Sequence, residues 1–473
     1  MPNLCPSLSP SFAPQTNPDE ILATGASPNV TQHGPYTYRQ IKVKWNFTYT
    51  SDYDNRELIT FREWTRYEFA PAQSGAGLDP LKDKYTTFNV PFQAVASVLQ
   101  TNNILGAMYV YSIQANCPGL YDSDQQRLFE TEATVDQVLF GYEPCVAQLI
   151  PEDGLAVKGR FPGLLGPNLP ANSSLEDLAS KIPPDQVYTG ANEPDFARSY
   201  YTWKGQTSLA VQVRMADKQL TGVWDSLEAN RVYGTSGDGF RRGLKAGSTV
   251  VAFVDDLSRH APLLNAGEQR VSAHGIDLLR FSLDPKFLLN VTYVPENAAY
   301  HPAEGHNGLL NVSASKSSLP IYMSKPHFLD GDASLVADII GMHPDPALHD
   351  TFLDVEALSG MTLRAHKRLQ INLRTAPVAF TMPDFKPATW YPRVGVHYVP
   401  VAFVDQHAEI TSAKARQFRA SVYGAQDAIK YLRLLGAIFG AVVVAVALQL
   451  LLIAAGRKQR EVEDARHNIN VYA

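Results

Sequence analysis

From Leu434 to Gly456 the chain reads LLGAIFGAVVVAVALQLLLIAAG, with no charged side chain and a single amide, Gln449. Unpaired backbone polar groups are too costly in hydrocarbon, so such a run is read as a helix with its N–H groups bonded internally. At ~1.5 Å per residue it reaches about 34 Å, enough to cross a hydrocarbon core of ~30 Å with some tilt. The sequence therefore predicts a membrane span over 434–456. The alternative, a buried helix of a soluble core, rarely runs so long without a charge. Arg457, Lys458 and Arg460 follow at once and favour a cytosolic tail over 457–473, although Lys414, Arg416, Arg419, Lys430 and Arg433 precede the span and weaken the asymmetry. Gly436 and Gly440 make one small-xxx-small pair that would suit a homodimer.

The body before the span, residues 1–433, has to be globular. Across the chain 45% of residues are apolar and 19% charged, which excludes a disordered or collagenous polymer. With 41 Lys+Arg against 47 Asp+Glu there is no basic excess to displace counterions, so nucleic acid is not an expected partner. Five Asn-x-Ser/Thr acceptors, at Asn29, Asn46, Asn172, Asn290 and Asn311, predict a glycosylated body outside the cytosol. The first thirty residues hold neither a basic n-region with an apolar core nor a second span. An exported body then needs a signal or anchor upstream of Met1.

Strand patterns dominate this body. In YRQIKVKWNFTY, Ile41, Val43, Trp45, Phe47 and Tyr49 fall on one face and Lys42, Lys44, Asn46 and Thr48 on the other, the pattern of a half-buried antiparallel strand. Similar runs recur at 58–69, 208–215, 249–254, 276–283, 362–373 and 394–404, separated by turn signals such as Gly34-Pro35, Asp79-Pro80 and Pro183-Pro184. Repeating βα units are missing, so a doubly wound parallel sheet is not expected. Between Asn89 and Tyr142 the period changes: Phe92, Val95, Ala96 and Leu99 recur at helical spacing, Ile104, Leu105, Met108 and Tyr109 follow, and a second helix is predicted over Ser123–Phe140. The Gly/Pro/Asn-rich piece 161–174 reads as a surface loop.

Catalytic signatures are lacking. HExxH, P-loop, dinucleotide and CxxC patterns do not occur, and the glycines at 234–243 have the wrong spacing for either a nucleotide turn or a nucleophile elbow. His343, Asp345, His349 and Asp350 offer metal-type donors, but Pro344 and Pro346 make the segment a stiff loop whose polar residues serve the turn. No enzyme activity, metal or cofactor is expected. Cys117 and Cys145 would close a loop of about 28 residues worth ~3–4 kcal/mol if oxidised, the alternative being two buried thiols.

Thr16-Asn17-Pro18-Asp19-Glu20-Ile21-Leu22 and Gly34-Pro35-Tyr36-Thr37-Tyr38-Arg39 look like the TNPEE and GPYxYR signatures that open the ectodomain of one family, the class B scavenger receptors. Gly141-Tyr142-Glu143-Pro144, the run 319–329 LPIYMSKPHFL, Phe352-Leu353-Asp354-Val355-Glu356, Gly360-Met361-Thr362-Leu363 and Lys367-Arg368-Leu369-Gln370-Ile371-Asn372 resemble its later blocks. The resemblance covers essentially the whole chain.

The resemblance implies a mainly β (α+β) ectodomain: an irregular antiparallel β-barrel with a small helical-bundle cap at about 89–142, followed by the transmembrane helix. It also implies a receptor, with cap residues Val95, Leu99, Ile104, Leu105 and Met108 lining or gating the mouth of an apolar tunnel that passes lipid towards the membrane. Such a channel would lower the barrier for moving an apolar ligand through water. The expected partners are lipids (fatty acid, sterol or phospholipid) or a lipid-carrying particle; a protein-capture or sorting receptor is the alternative. The address this implies is the plasma membrane, with an endosomal or lysosomal membrane as the alternative. Two departures restrict the transfer. No cysteine follows Cys145, and the cap segment holds Arg127 against Asp122, Asp124, Glu130, Glu132 and Asp136, a balance that should repel polyanionic lipoprotein. The tail lacks an acidic dileucine signal for a lysosomal address.

Overall fold

The computed structural model describes residues 6–93, 128–144, 161, 163–166, 168, 182–214, 219–301, 305–316, 319–381 and 387–471. Its strands include β1 (Ser7–Phe12), β2 (Tyr38–Ser51), β3 (Glu57–Phe69), β4 (Asp185–Tyr188), β5 (Tyr200–Thr202) and β6 (Thr249–Val254). Further along come β7 (Arg259–Leu264), β8 (Ile276–Leu283), β9 (Ile321–Ser324), β10 (Phe352–Val355), β11 (Thr362–Thr375) and β12 (His397–Glu409). All belong to one antiparallel sheet of 14 strands among the described residues, with the path β6-β7-β8-β10-β11-β12-β1-β2-β3-β4-β5 and β9 set against β11.

The two ends of that path meet. Tyr200 N–H on β5 donates to Gly234 O at 2.8 Å, Thr235 N–H donates to Val251 O on β6 at 3.0 Å, and Phe253 N–H returns to Thr235 O at 2.8 Å. The segment Gly234–Thr235 thus stitches β5 to β6 and all but closes the sheet into a barrel, which leaves few unpaired strand edges. β2, β3, β6, β8 and β11 fall where the alternation of apolar residues predicts them. The last strand lies at His397–Glu409 rather than 394–404, because Val394 N–H turns back to Tyr391 O at 3.1 Å.

Apolar clusters occupy different levels of this barrel. Phe240, Leu279, Phe281, Leu353 and Val355 pack together in one, with Ala365 against them. Trp224, Leu310, Ile321, Met323 and Ile371 form a second, with Leu369 and Val404 against it. Phe12, Tyr36, Tyr38, Leu139 and Phe140 build a third, and Phe88, Phe92, Phe129, Leu373 and Val399 a fourth.

Helices are short in the body. α1 (Pro18–Thr24) has Pro18, Asp19 and Glu20 in its first turn and ends at Gly25, whose φ of 75° and close approach to Arg393 O suit glycine alone. The helix predicted over Ser123–Phe140 is instead β over Phe129–Glu130, paired with Thr87–Phe88, followed by α2 (Val135–Phe140). Glu130 Oε1 accepts the N–H groups of Glu132 (2.8 Å) and Ala133 (3.0 Å), which turns the chain, and a Thr134/Gln137 capping box starts the helix. Residues 94–127, the rest of the expected cap, lie outside the described residues. Two further helices are α3 (Ala333–Asp338) and α4 (Pro346–His349).

The chain divides into two compact units, one ending at Ile410 and one holding Thr411–Ala473 with the turn His274–Ile276. The second is dominated by α5 (Ser412–Val471), so the apolar segment sits within a longer continuous helix. Its stretch Ser412–Asp464 has a mean hydropathy of 2.7 at its most apolar and is the one helix among the described residues long and apolar enough to cross a membrane.

Candidate functional site

Along β11 the odd-numbered residues read Ala365, Lys367, Leu369, Ile371. The first packs with the Phe281 cluster and the last two with the Ile321 cluster, so a lysine sits between two apolar layers. Its Nζ meets Asp256 Oδ2 at 2.5 Å and Asp255 Oδ1 at 3.7 Å, in the turn that follows β6. β6 and β11 are four places apart in the sheet, a separation of roughly 19 Å along a surface with ~4.8 Å between strands. Only the concave side of a closed sheet brings their side chains together, so this pair spans the barrel interior.

Other strands add to the same belt. On β2, Lys44 Nζ lies 3.0 Å from Glu63 Oε2 and Lys42 Nζ 3.7 Å from Glu63 Oε1. Burial alone would lower the Lys42 pKa, but the carboxylates of Asp238, Glu63 and Asp255 outweigh it and hold it above its ordinary value. Burial likewise works against the charge on Lys367, and Asp256 and Asp255 reverse it. The same contest, settled by Lys367 and Lys316, holds the Asp256 carboxyl below its ordinary value. Tyr67 is pushed up to about 12 by burial and then by Asp256 and Asp255.

The Lys367 and Asp256 side chains keep 26% and 47% of their surface accessible, while burial is the leading influence on the titration of both. Up to Trp45 the alternation in β2 puts Lys42 and Lys44 on the face of Glu63 and the half-buried Ile41, Val43 and Trp45 on the other; a bulge at 46–47 then breaks the period, and Phe47 packs against Phe61, over which Lys44 also lies.

A separate crevice of about 490 Å³ lies beside the stitched edge, lined by Arg56, Tyr188, Tyr201, Arg231, Tyr233 and Arg241 among others. Its charges are largely paired internally, Arg56 with Asp52 (2.7 Å) and Asp54 (2.8 Å), and Arg241 with Asp195 (3.8 Å).

Of the residues singled out from sequence, Val95, Leu99, Ile104, Leu105, Met108, Cys117, Cys145 and Asn172 lie outside the described residues. Asn46 and Asn311 are exposed and Asn29 is half-buried. Asn290 is only 8% exposed; its Nδ2 donates to Gly305 O at 2.8 Å and its Oδ1 accepts Thr292 N–H at 3.0 Å. The acid-rich cap segment is partly neutralised where it is described, since Glu132 pairs with Lys84 at 2.8 Å.

The loop 343–350 is built as a turn. Asp345 Oδ1 caps α4 through Ala347 N–H (2.8 Å), His349 Nδ1 accepts Asp345 N–H (2.9 Å), and Asp350 pairs with Lys325 at 2.6 Å. Metal-type donors converge instead at His366, Asp405 and His407. There Arg368 Nε already donates to Asp405 Oδ2 at 3.2 Å, which makes the group an ion-pair network on β11 and β12.

The blocks that carry the family resemblance are structural. Tyr36 is fully buried, and its hydroxyl donates to Asp83 Oδ2 at 2.7 Å. Asp354, also fully buried, is gripped by Arg280 through Nε (2.7 Å) and Nη2 (2.8 Å) and by Arg364 Nε (2.6 Å). His327 is stacked between His349 and Phe403 at ring separations of 4.4 and 4.7 Å.

Lysosome membrane protein 2 of Homo sapiens is 31% identical over 362 residues, 76% of this chain and 66% of that protein. Scavenger receptor class B member 1 of Bos taurus is 27% identical over 373 residues, 77% of this chain and 64% of that protein. The chain thus spans about two thirds of the length of the curated relatives it matches. The CD36 family profile matches residues 15–451, and by that match across the barrel and into its apolar C-terminal helix the chain belongs to the CD36 family.

Proposed function

We propose that this chain is a membrane-anchored receptor of the scavenger type, which takes lipid into the interior of its barrel and delivers it to the membrane that holds α5. The observation that carries this reading is the contact of Lys367 on β11 with Asp256 after β6, made across the concave side of the sheet with both side chains still accessible. Relatives named as a scavenger receptor and a lysosome membrane protein support a receptor over an enzyme. The exposed acceptors Asn46 and Asn311 support a body outside the cytosol, and the plasma membrane is the address we assign. The test is mass spectrometry of lipid extracted from the purified chain. Stoichiometric lipid supports the reading; a preparation free of lipid that also fails to move labelled lipid between vesicles overturns it and favours capture of a protein partner.

A further inference from the structure

We infer that Arg259 anchors a buried site for a small monovalent anion such as chloride, held between β7 and the segment 287–301. The inference does not depend on the receptor reading.

Arg259 opens β7, where the alternation places it with Ala261 and Leu263 on the buried face, and it is 5% exposed. An ionised group so enclosed is strongly disfavoured unless a counter-charge replaces the lost water. Arg280 and Arg364 meet that need by sharing Asp354. Arg259 pairs with no carboxylate among the described residues. Its Nη1 donates to Phe287 O at 2.9 Å and its Nη2 to Asn297 Oδ1 at 2.8 Å, both neutral acceptors, and its Nε–H has no partner. Burial lowers its pKa to about 10, opposed by Tyr300 and Tyr233, so the guanidinium is charged at neutral pH and one of its donors points at nothing.

The neighbours feel that uncompensated charge. His260 and His301 are each lowered to about 4, by burial first and then by Arg259. His301 is 2% exposed with its Nε2 unpartnered, and the His260 Nδ1 is buried without a partner as well. Three side chains in one neighbourhood thus carry the cost of a single positive charge, and one anion beside Arg259 would offset it.

The surroundings select a monatomic ion. The Phe287 and Tyr300 rings lie 4.0 and 3.6 Å from the guanidinium carbon, and Ala261, Leu310 and Trp224 pack in the same cluster. The indole N–H of Trp224 is already spent on Ser258 O at 2.7 Å. A carboxylate or phosphate would bring two or more oxygens, each asking for donors, into walls that are mostly carbon. Chloride asks for the Nε–H and the field of the guanidinium. Because Phe287, Asn297 and Tyr300 all come from the segment after β8, an ion there would help fix that segment to β7.

The experiment uses the full chain in detergent and follows thermal unfolding in sodium chloride and in sodium gluconate at equal ionic strength. Chloride at a physiological level should raise Tm by at least about 2 °C over gluconate, the mass-action effect of a ligand confined to the folded state. R259M keeps an apolar stem without the charge and should unfold at the same temperature in both salts. Crystals of the unmodified chain grown with bromide in place of chloride keep the test decisive if R259M fails to fold, since an anomalous peak within hydrogen-bonding reach of Arg259 Nε supports the site. A Tm that does not distinguish the two anions, a chloride effect that R259M retains, or bromide-grown crystals with no such peak beside Nε overturns it. Each of these results leaves the lipid assay of the receptor reading untouched.

Discussion

Lys367 Nζ on β11 and Asp256 Oδ2 in the turn after β6 meet at 2.5 Å across the inside of a sheet in which those two strands are four places apart. A contact of this kind makes the barrel interior a polar compartment as well as a structural core. Both side chains retain accessible surface, so water screens the pair and its contribution to stability sits well below that of a dry ion pair. We expect K367M to lower unfolding free energy by about 1–2 kcal/mol, and the K367M/D256N pair to be less than additive by about 1 kcal/mol. Denaturant titration of the four species measures this; strict additivity would place the two groups out of energetic contact.

Much of the frame was legible in the sequence. Thr249–Val254 and Ile276–Leu283 were readable because β-branched and aromatic residues bounded by turns leave few alternatives. The belt was not. Lys42 and Lys44 look like the solvent face of an amphipathic strand, and nothing in a period of two tells which face meets the outside when the inside carries charge. The signal available was Lys367, a lone cation within the run Leu363, Ala365, Leu369, Ile371 that otherwise alternates small or apolar residues. The helix predicted through Phe129 failed for a different reason: Glu130 satisfies two backbone N–H groups and stops the period locally.

Asp354 should be among the residues least tolerant of change. It is fully buried and accepts three hydrogen bonds from Arg280 and Arg364, with the Arg280 guanidinium 3.8 Å above the Phe352 ring. D354A strands two guanidinium groups, and we expect a loss of about 2–4 kcal/mol. D354N keeps one acceptor and the shape, so its loss should be smaller. Thermal unfolding of both variants checks the order; equal losses would assign the effect to packing alone.

Acid should destabilise the body through its buried histidines. His327 and His301 are 6% and 2% exposed and lowered to about 4, in each case first by burial, then by neighbouring imidazoles or by Arg259. With an unfolded value near 6.5, the unfolded chain binds the extra protons, so this stability is complete above pH ~6.5 and is lost as pH falls towards 4. The limiting slope is ~1.4 kcal/mol per pH unit for each ring. His327 has a φ of 54°, which asparagine tolerates, and its Nδ1 accepts His343 N–H at 3.1 Å, a role an amide oxygen can take. H327N should therefore fold and show a shallower fall of Tm between pH 6.5 and 5. An unchanged profile would remove His327 from the account.

The glycan acceptors should divide by geometry. At Asn311, which is exposed, the side-chain oxygen accepts Ser313 N–H at 3.0 Å and the Ser313 hydroxyl at 2.6 Å, which leaves the amide nitrogen facing outward. Asn46 is exposed as well. Asn290 has its nitrogen committed to Gly305 O, and a sugar there has no way out of a site 8% exposed without opening the loop at 305–307. Expression in a glycosylating host should give a mobility shift on N46Q and on N311Q, and none on N290Q. The last substitution should instead lower stability by about 1–3 kcal/mol, because it abandons the side-chain bonds to Gly305 O (2.8 Å) and from Thr292 N–H (3.0 Å). A glycopeptide carrying sugar on Asn290 in folded, exported protein would contradict the packing described for that loop.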